Sequence, residues 1–243
     1  YADRLLNNLE KLDWSEKVKT AQVNWIGKSE GMEIDFLVDG AKNKKITVYT
    51  VFAETIYGVT YMVLAPENPL VLELTTKEQK KDVEEYVKKA RLKTQIERAA
   101  EEKTKTGVFI GSYVINPATD EKVPVWVADY VLGGYGTGAV MGVPGSDHRD
   151  FIFASKYKLP IKRVIGTTIK DAGEVSTEEQ VLEEGVLVNS GEFTGLETPT
   201  VAREKVKDFL EKKKFGKRKI QYHLRDWLIS RQRYWGPPIP IIY

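Results

Sequence analysis

The sequence predicts an α+β fold: a curved or barrel-like mixed β-sheet core with peripheral helices. Three observations carry that expectation. Short runs rich in Val, Ile, Tyr and Thr recur at irregular intervals, turn residues separate most of them, and segments of helical period are interposed without strict strand–helix alternation.

The expected strands are 46–51, 59–64, 108–115, 123–131, 139–143 and 163–165, each rich in residues that favour a pleated surface. Pro66, Asn116-Pro117, Gly133-Gly134 and Pro144-Gly145 punctuate them. Thr75 and Glu78 have capping-box spacing, and behind them Val83, Tyr86, Val87 and Ala90 recur on one helical face. Phe151, Ala154 and Tyr157 mark a second helix. Ser176 with Glu179 forms another box, with Gly185 as the expected C-terminal cap. Ala202, Val206, Phe209 and Leu210 line a last helix that stops at Gly216.

Composition narrows the chemistry. The 243 residues carry 37 Lys plus Arg against 35 Asp plus Glu, a formal net charge of +2, and 42% are hydrophobic. That suffices for a soluble globular core, and no run of 18 apolar residues suggests a membrane span. Cys is absent, so disulfides, thiolate nucleophiles and cysteine-based zinc sites are excluded. His148 and His223 are the only histidines, too few for a three-histidine metal centre. Charge is nevertheless uneven: Lys212, Lys213, Lys214, Lys217, Arg218 and Lys219 cluster, with Arg225, Arg231 and Arg233 beyond. Such a cluster suits either the solvated end of a helix or contact with phosphates. Tyr1 is no initiator and 227–243 is apolar and aromatic, so the chain reads as cut from something larger.

Three stretches offer chemistry. Gly134, Gly136 and Ala139 satisfy the spacing of a dinucleotide fingerprint, but Val140-Met141-Gly142-Val143-Pro144 reads as a strand and not as the helix that must follow. The glycines instead allow a close approach at a pocket floor. In Ser146-Asp147-His148-Arg149-Asp150, Asp147 and Asp150 lie three apart at the start of a helix, so both carboxylates share one face. They can converge on a cation, with the helix end holding both ionised; equally, Asp147 or Ser146 is an N-cap and Asp150 a dipole-stabilising residue. His148 fits a surface position in the first turn. Finally, Thr50-Val51-Phe52-Ala53-Glu54-Thr55 ends a strand, and the stiff Thr55 suits a pocket wall.

Taken together, the stretches WIGKSEG (25–31), GVTYMVLAPE (58–67), GYGTGAVMGV (134–143), DHRDFIFA (147–154), GVLVNSG (185–191) and LRDWLISRQRYWG (224–236) resemble, in order, the editing insertion (connective polypeptide 1) of bacterial-type leucyl-tRNA synthetases. Isoleucyl and valyl relatives share the general fold, but GVTYMVLAPE after the threonine segment resembles the leucyl enzymes. The resemblance implies hydrolysis of the ester joining a noncognate amino acid to the 3′ end of leucine tRNA, a second sieve needed because one methyl group gives a pocket only ~1–3 kcal/mol of discrimination.

By position, the resemblance makes Asp150 the carboxylate that grips the α-ammonium, Asp147 its companion and Thr55 the wall that excludes leucine. It places Tyr135, Met141 and Val143 along the amino-acid site and Thr50 near the scissile bond, with an ordered water as the attacking group. The family pattern Thr-Thr-Arg-Pro-Asp/Glu-Thr is here Thr50-Val51-Phe52-Ala53-Glu54-Thr55, so a hydroxyl and a guanidinium are missing. Phe52 offers instead an aromatic face to the adenine. The family's His before the first Asp is Ser146. The expectation is a preserved ammonium anchor with an altered nucleotide clamp, or alternatively a degenerate editing domain that binds the tRNA end without efficient hydrolysis.

The resemblance also implies an organisation: 1–22 as the outgoing tether to a catalytic domain, 23–220 as the editing domain and 221–243 as the returning tether. The signature motifs of ATP-dependent activation are missing, so no metal and no cofactor are expected for this stretch, ATP and Mg2+ belonging to the catalytic domain. The expected partners are the mischarged end of leucine tRNA and the rest of the synthetase, in the cytoplasm and away from membranes. A nicotinamide-dependent enzyme using Gly134 to Ala139 is the distant rival.

Overall fold

The computed structural model describes residues 1–41, 43–93, 105–133 and 136–224. The chain divides into two units, Tyr1–Ser29 with Ile220–Tyr243, and Glu30–Lys219. In the first, helices Ala2–Leu9 and Glu16–Ile26 follow one another, and Gly27 closes the second at φ 56°, a left-handed cap that favours glycine. The amides of His223 and Leu224 donate to the carbonyls of Gly27 and Ile26 at 3.0 and 3.1 Å. No helix among the described residues is long and apolar enough to cross a membrane.

The second unit is built on a mixed sheet. Its strands are β1 (Lys28–Val38), β2 (Lys45–Thr50), β3 (Tyr61–Leu64), β4 (Gly107–Ile115), β5 (Lys122–Ala128) and β6 (Ala139–Gly142). A two-stranded pair, β7 (Ile165–Gly166) and β8 (Val186–Leu187), lies apart, and β9 (Gly216–Tyr222) joins β1. The order is β2-β1-β4-β5-β3-β6, antiparallel throughout except β3 beside β5. β4 pairs β1 only at Leu37 and Val38. The terminal strands β2 and β6 come close without hydrogen bonding, so the sheet is strongly curved and stays open. This is the α+β, curved mixed-sheet architecture that the sequence predicts, with helices Lys80–Leu92, His148–Tyr157 and Thr200–Lys212 at its periphery.

Alternation sets the core. Met32, Ile34, Phe36 and Val38 of β1 point inward while Glu33 and Asp35 point outward, and Ala202, Val206 and Leu210 seal the same core from the last helix. Every residue of β3 is buried, because the strand is covered on both faces: Met62 and Leu64 belong to the main core, Tyr61 and Val63 to a second cluster with Phe153 and Ala154. Phe153 stacks on Tyr61 with ring centroids 5.1 Å apart, a contact worth ~0.5–1.5 kcal/mol beyond simple burial. Across the ladder, Tyr61 faces Gly142, where a Cβ would sit 2.3 Å from the Tyr61 ring; only glycine fits.

Two sequence expectations fail locally. The Thr75–Glu78 box does not open the helix, which begins at Lys80 with Gln79 at its cap, because the Thr75 hydroxyl bonds back to the Val71 carbonyl at 2.5 Å. The 176–185 region forms only a 3-10 turn at Glu178–Gln180, boxed by Thr177 and Gln180, with no apolar stripe to hold a longer helix; Gly185 sits at φ 150°, outside any cap. The long strand β1 was not anticipated.

Candidate functional site

The open edge of the curved sheet carries a cavity of about 540 Å³. The end of β2 supplies Tyr49 and Thr50, the turn after it Phe52 and Thr55, β6 and its exit Val140, Met141 and Val143, and the start of the His148–Tyr157 helix Ser146, Asp147, Arg149 and Asp150. Thr50, Phe52, Thr55, Met141, Val143, Asp147 and Asp150, singled out from the sequence, thus share one cavity. Tyr135 lies outside the described residues, as do Arg225, Arg231 and Arg233.

The helix start explains how the two aspartates differ. Asp147 is the N-cap: its Oδ1 accepts from the amides of Arg149 and Asp150 at 2.8 and 3.1 Å, and the Arg149 guanidinium lies 3.3 Å from Oδ2. The capping reading holds for Asp147. Asp150 is buried; Oδ2 accepts from the Val143 amide at 2.8 Å and Oδ1 from the Tyr61 hydroxyl at 3.0 Å. Tyr61 in turn lies 3.5 Å from the Tyr130 hydroxyl, and Tyr130 also lines the cavity.

One electrostatic expectation is overturned. The helix end was expected to keep both carboxyls ionised at neutral pH, yet Asp150 is pushed up to about 7. Burial is the main cause and the Asp147 charge the second; the Val143 amide, the Tyr61 hydroxyl and Arg149 oppose them incompletely. Burial, with Asp150 next, also raises Tyr61 and Tyr130 well above the usual phenol range, so both remain proton donors.

The Thr50–Thr55 turn is held by its own hydroxyls. Thr50 Oγ1 accepts from the Phe52 amide at 3.0 Å, which leaves its proton to be donated elsewhere. Thr55, 3% exposed, donates its hydroxyl to the Phe52 carbonyl at 2.8 Å, which fixes a side chain already stiff at χ1. Thr55 is therefore a rigid wall and not a free hydroxyl. Beside it the cavity is apolar through Val131, Leu132, Val140, Met141 and Val143. Ser146 Oγ is buried with no hydrogen-bond partner among the described residues, a cost of ~1–3 kcal/mol unless a ligand completes it.

Asp147, Asp150 and Glu183 bring carboxyls to the cavity and Arg149 a guanidinium, so its ionised form favours cations. Among the described residues no group of three or more acidic or histidine side chains could hold a metal ion. His148 is half-exposed, 3.5 Å from Glu178, and does not line the cavity. Part of the basic cluster is compensated: Arg218 meets Glu204, Asp208 and Glu211, and Lys217 lies 3.1 Å from Glu33. Tyr61, Tyr130 and Glu183 were not found from the sequence. Tyr61 stands inside GVTYMVLAPE, but nothing in that run tells which strand face meets a helix.

Fold and cavity define an α+β domain whose curved mixed sheet carries a cleft lined by both apolar side chains and carboxyl groups. A family model described as the editing domain of leucyl-tRNA synthetase matches residues 23–211, and the chain belongs to that family. It is 53% identical over 244 residues to the leucine-tRNA ligase of Fervidobacterium nodosum and 54% identical over 245 residues to that of Thermotoga maritima. Both matches cover all of this chain and 29% of the relative, so the chain spans less than a third of the curated relatives' length. The crystal structure of the ternary complex of Agrobacterium radiobacter K84 agnB2 LeuRS-tRNA-LeuAMS superimposes with a TM-score of 0.74 at 37% identity, covering 99% of this chain and 26% of that one.

Proposed function

We propose that the cavity hydrolyses the ester between a noncognate amino acid and the 3′-terminal ribose of leucine tRNA. The observation that carries this reading is a buried carboxylate, Asp150, fixed by an amide and a phenol in a largely apolar cleft that Thr55 also lines. The α-ammonium sits against ionised Asp150, with Asp147 adding long-range attraction, and the side chain enters the apolar part beside Met141 and Val143. The Thr50 hydroxyl, already an acceptor from Phe52, donates to the ester oxygen as charge develops there. An ordered water adds to the carbonyl carbon, the bond to the ribose oxygen breaks, and that oxygen leaves with a proton. Ser146 Oγ supplies a further polar contact.

In this reading the rest of the synthetase performs aminoacylation with ATP and Mg2+, residues 1–22 and 221–243 tether the domain to it, and the protein works in the cytoplasm. A second reading, binding of the tRNA end without cleavage, is favoured by one feature: Val51 and Phe52 stand where a hydroxyl and a guanidinium would assist. A deacylation time course with norvalyl-tRNA separates the two, because only the first predicts loss of the ester.

The anchor has a pH signature. Asp150 must be ionised to hold an ammonium, so kcat/KM is expected to rise with pH through about 7 in the free domain. Tyr61→Phe removes a donor to the ionised form and should move that rise to higher pH by roughly one unit, as a hydrogen bond to a charge is worth ~1.5–3 kcal/mol. An unshifted profile in the variant would show that Tyr61 does not govern the anchor.

The turn gives another test. Val51→Thr with Phe52→Arg places a second guanidinium where Arg203 lies 5.0 Å from the Phe52 ring, so kcat/KM for mischarged tRNA is expected to fall about fivefold, the scale of ~1 kcal/mol. Unchanged hydrolysis would mean that this turn does not touch the nucleotide.

A further inference from the structure

Phe52 is half-exposed at the cavity rim, an arrangement that leaves an aromatic face in water unless a ligand covers it. It is not loosely held. The Arg203 guanidinium, from the Thr200–Lys212 helix, stands over the ring at 5.0 Å from its centroid. Arg203 is itself pinned: Nε donates to both carboxylate oxygens of Glu54 at 2.9 and 3.1 Å, and Nη2 lies 2.8 Å from Oε1. Glu54 is 1% exposed, so its charge requires this partner. A buried acid thus fixes a cation 149 residues away in sequence, and the cation fixes a ring.

We propose that Arg203, held by Glu54, is a positioning residue that presents the Phe52 ring as a stacking platform for the nucleobase of the esterified nucleoside. This rests on the ester-hydrolysis reading for the identity of the nucleoside. A neutral, flat base suits the site because every nucleobase offers a π-face, and because the guanidinium behind the ring disfavours a cation in front of it. The platform occupies the place of the charged grip that the family pattern would supply from position 52 itself.

The test compares norvalyl-adenosine with norvaline ethyl ester, which carries the same ammonium and side chain but no base. Arg203→Lys keeps a charge for Glu54 and loses the planar group; Arg203→Met combined with Glu54→Gln removes the pair without stranding a buried charge. In each, KM for norvalyl-adenosine relative to that for the ethyl ester is expected to rise about fivefold, with kcat within about twofold, and Phe52→Leu with Arg203→Lys should be no worse than Phe52→Leu alone. An unchanged ratio, or multiplicative losses in the combined variant, would overturn the platform. Adenosine titrated alone separates this from the hydrolytic reading. Binding weakened about fivefold by Arg203→Lys, in a protein that cleaves neither ester, would sustain the platform while sinking hydrolysis; cleavage with adenosine binding indifferent to Arg203 would do the reverse.

Discussion

Asp150→Asn is expected to reduce hydrolysis of mischarged tRNA by at least about a thousandfold and, at pH 8, to raise stability. The activity loss follows from removing the buried carboxylate that the Val143 amide and the Tyr61 hydroxyl fix in the cleft: a buried charge-assisted contact is worth several kcal/mol, and each ~1.36 kcal/mol is tenfold in rate. The stability gain follows from linkage. The folded carboxyl titrates at about 7 and an unfolded Asp near ~3.9, so between these values the folded state binds the proton more tightly and stability falls as pH rises. Above about 7 both states are ionised and the fall ends. Asparagine preserves the shape, accepts from the Val143 amide and donates to Tyr61, without that penalty. Its advantage over wild type should grow by roughly 2–3 kcal/mol between pH 5 and pH 8, measured by urea unfolding at each pH. A variant that loses stability equally at both pH values would mean that the carboxylate is not stored at a cost for function.

Thr55→Ala is expected to let the domain attack correctly charged leucyl-tRNA. The Thr55 hydroxyl is held by the Phe52 carbonyl, which fixes χ1 and with it the methyl, so the space they take is not readily vacated by a rotamer change. Truncation opens room for a branched side chain, and discrimination against leucine, of the order of ten- to two-hundredfold for one methyl group, should be lost. The turn itself survives, because the Thr55 amide still donates to the Phe52 carbonyl at 3.1 Å. Thr55→Val decides whether shape or hydrogen bonding matters: valine keeps the volume and loses the hydroxyl, and should still spare leucyl-tRNA. Leucyl-tRNA hydrolysis by the valine variant at the alanine variant's rate would assign the exclusion to the hydroxyl instead.

Both results depend on features unequally legible in the sequence. The runs that became β2 to β6 could be read because β-branched residues crowd them between turn residues. β1 escaped because Glu33, Asp35 and Gly31 dilute its alternation, although Met32, Ile34, Phe36 and Val38 keep strict period two and all are buried. The Ser176–Glu179 box does not form; the box one residue further on, Thr177–Gln180, has no apolar stripe behind it, and local chemistry alone sustains one turn. In the site, spacing placed Asp147 and Asp150 together, and the Thr50–Thr55 stretch was legible as a strand end with a stiff threonine, whereas the roles of its residues came from resemblance. The proton affinity of Asp150 was not accessible, because it depends on tertiary burial and on partners such as the Tyr61 hydroxyl, 89 residues away in sequence, a separation that no local pattern spans. The Glu54–Arg203 pair was hidden for the same reason.

The most direct measurement of the central claim leaves the protein untouched and changes the substrate. Norvalyl-tRNA and N-acetyl-norvalyl-tRNA differ in the charge that Asp150 is assigned to hold. Capture of the ammonium predicts that acetylation slows hydrolysis more than a hundredfold, consistent with a lost charge-assisted contact of ~3 kcal/mol. Equal rates for the two esters would contradict it.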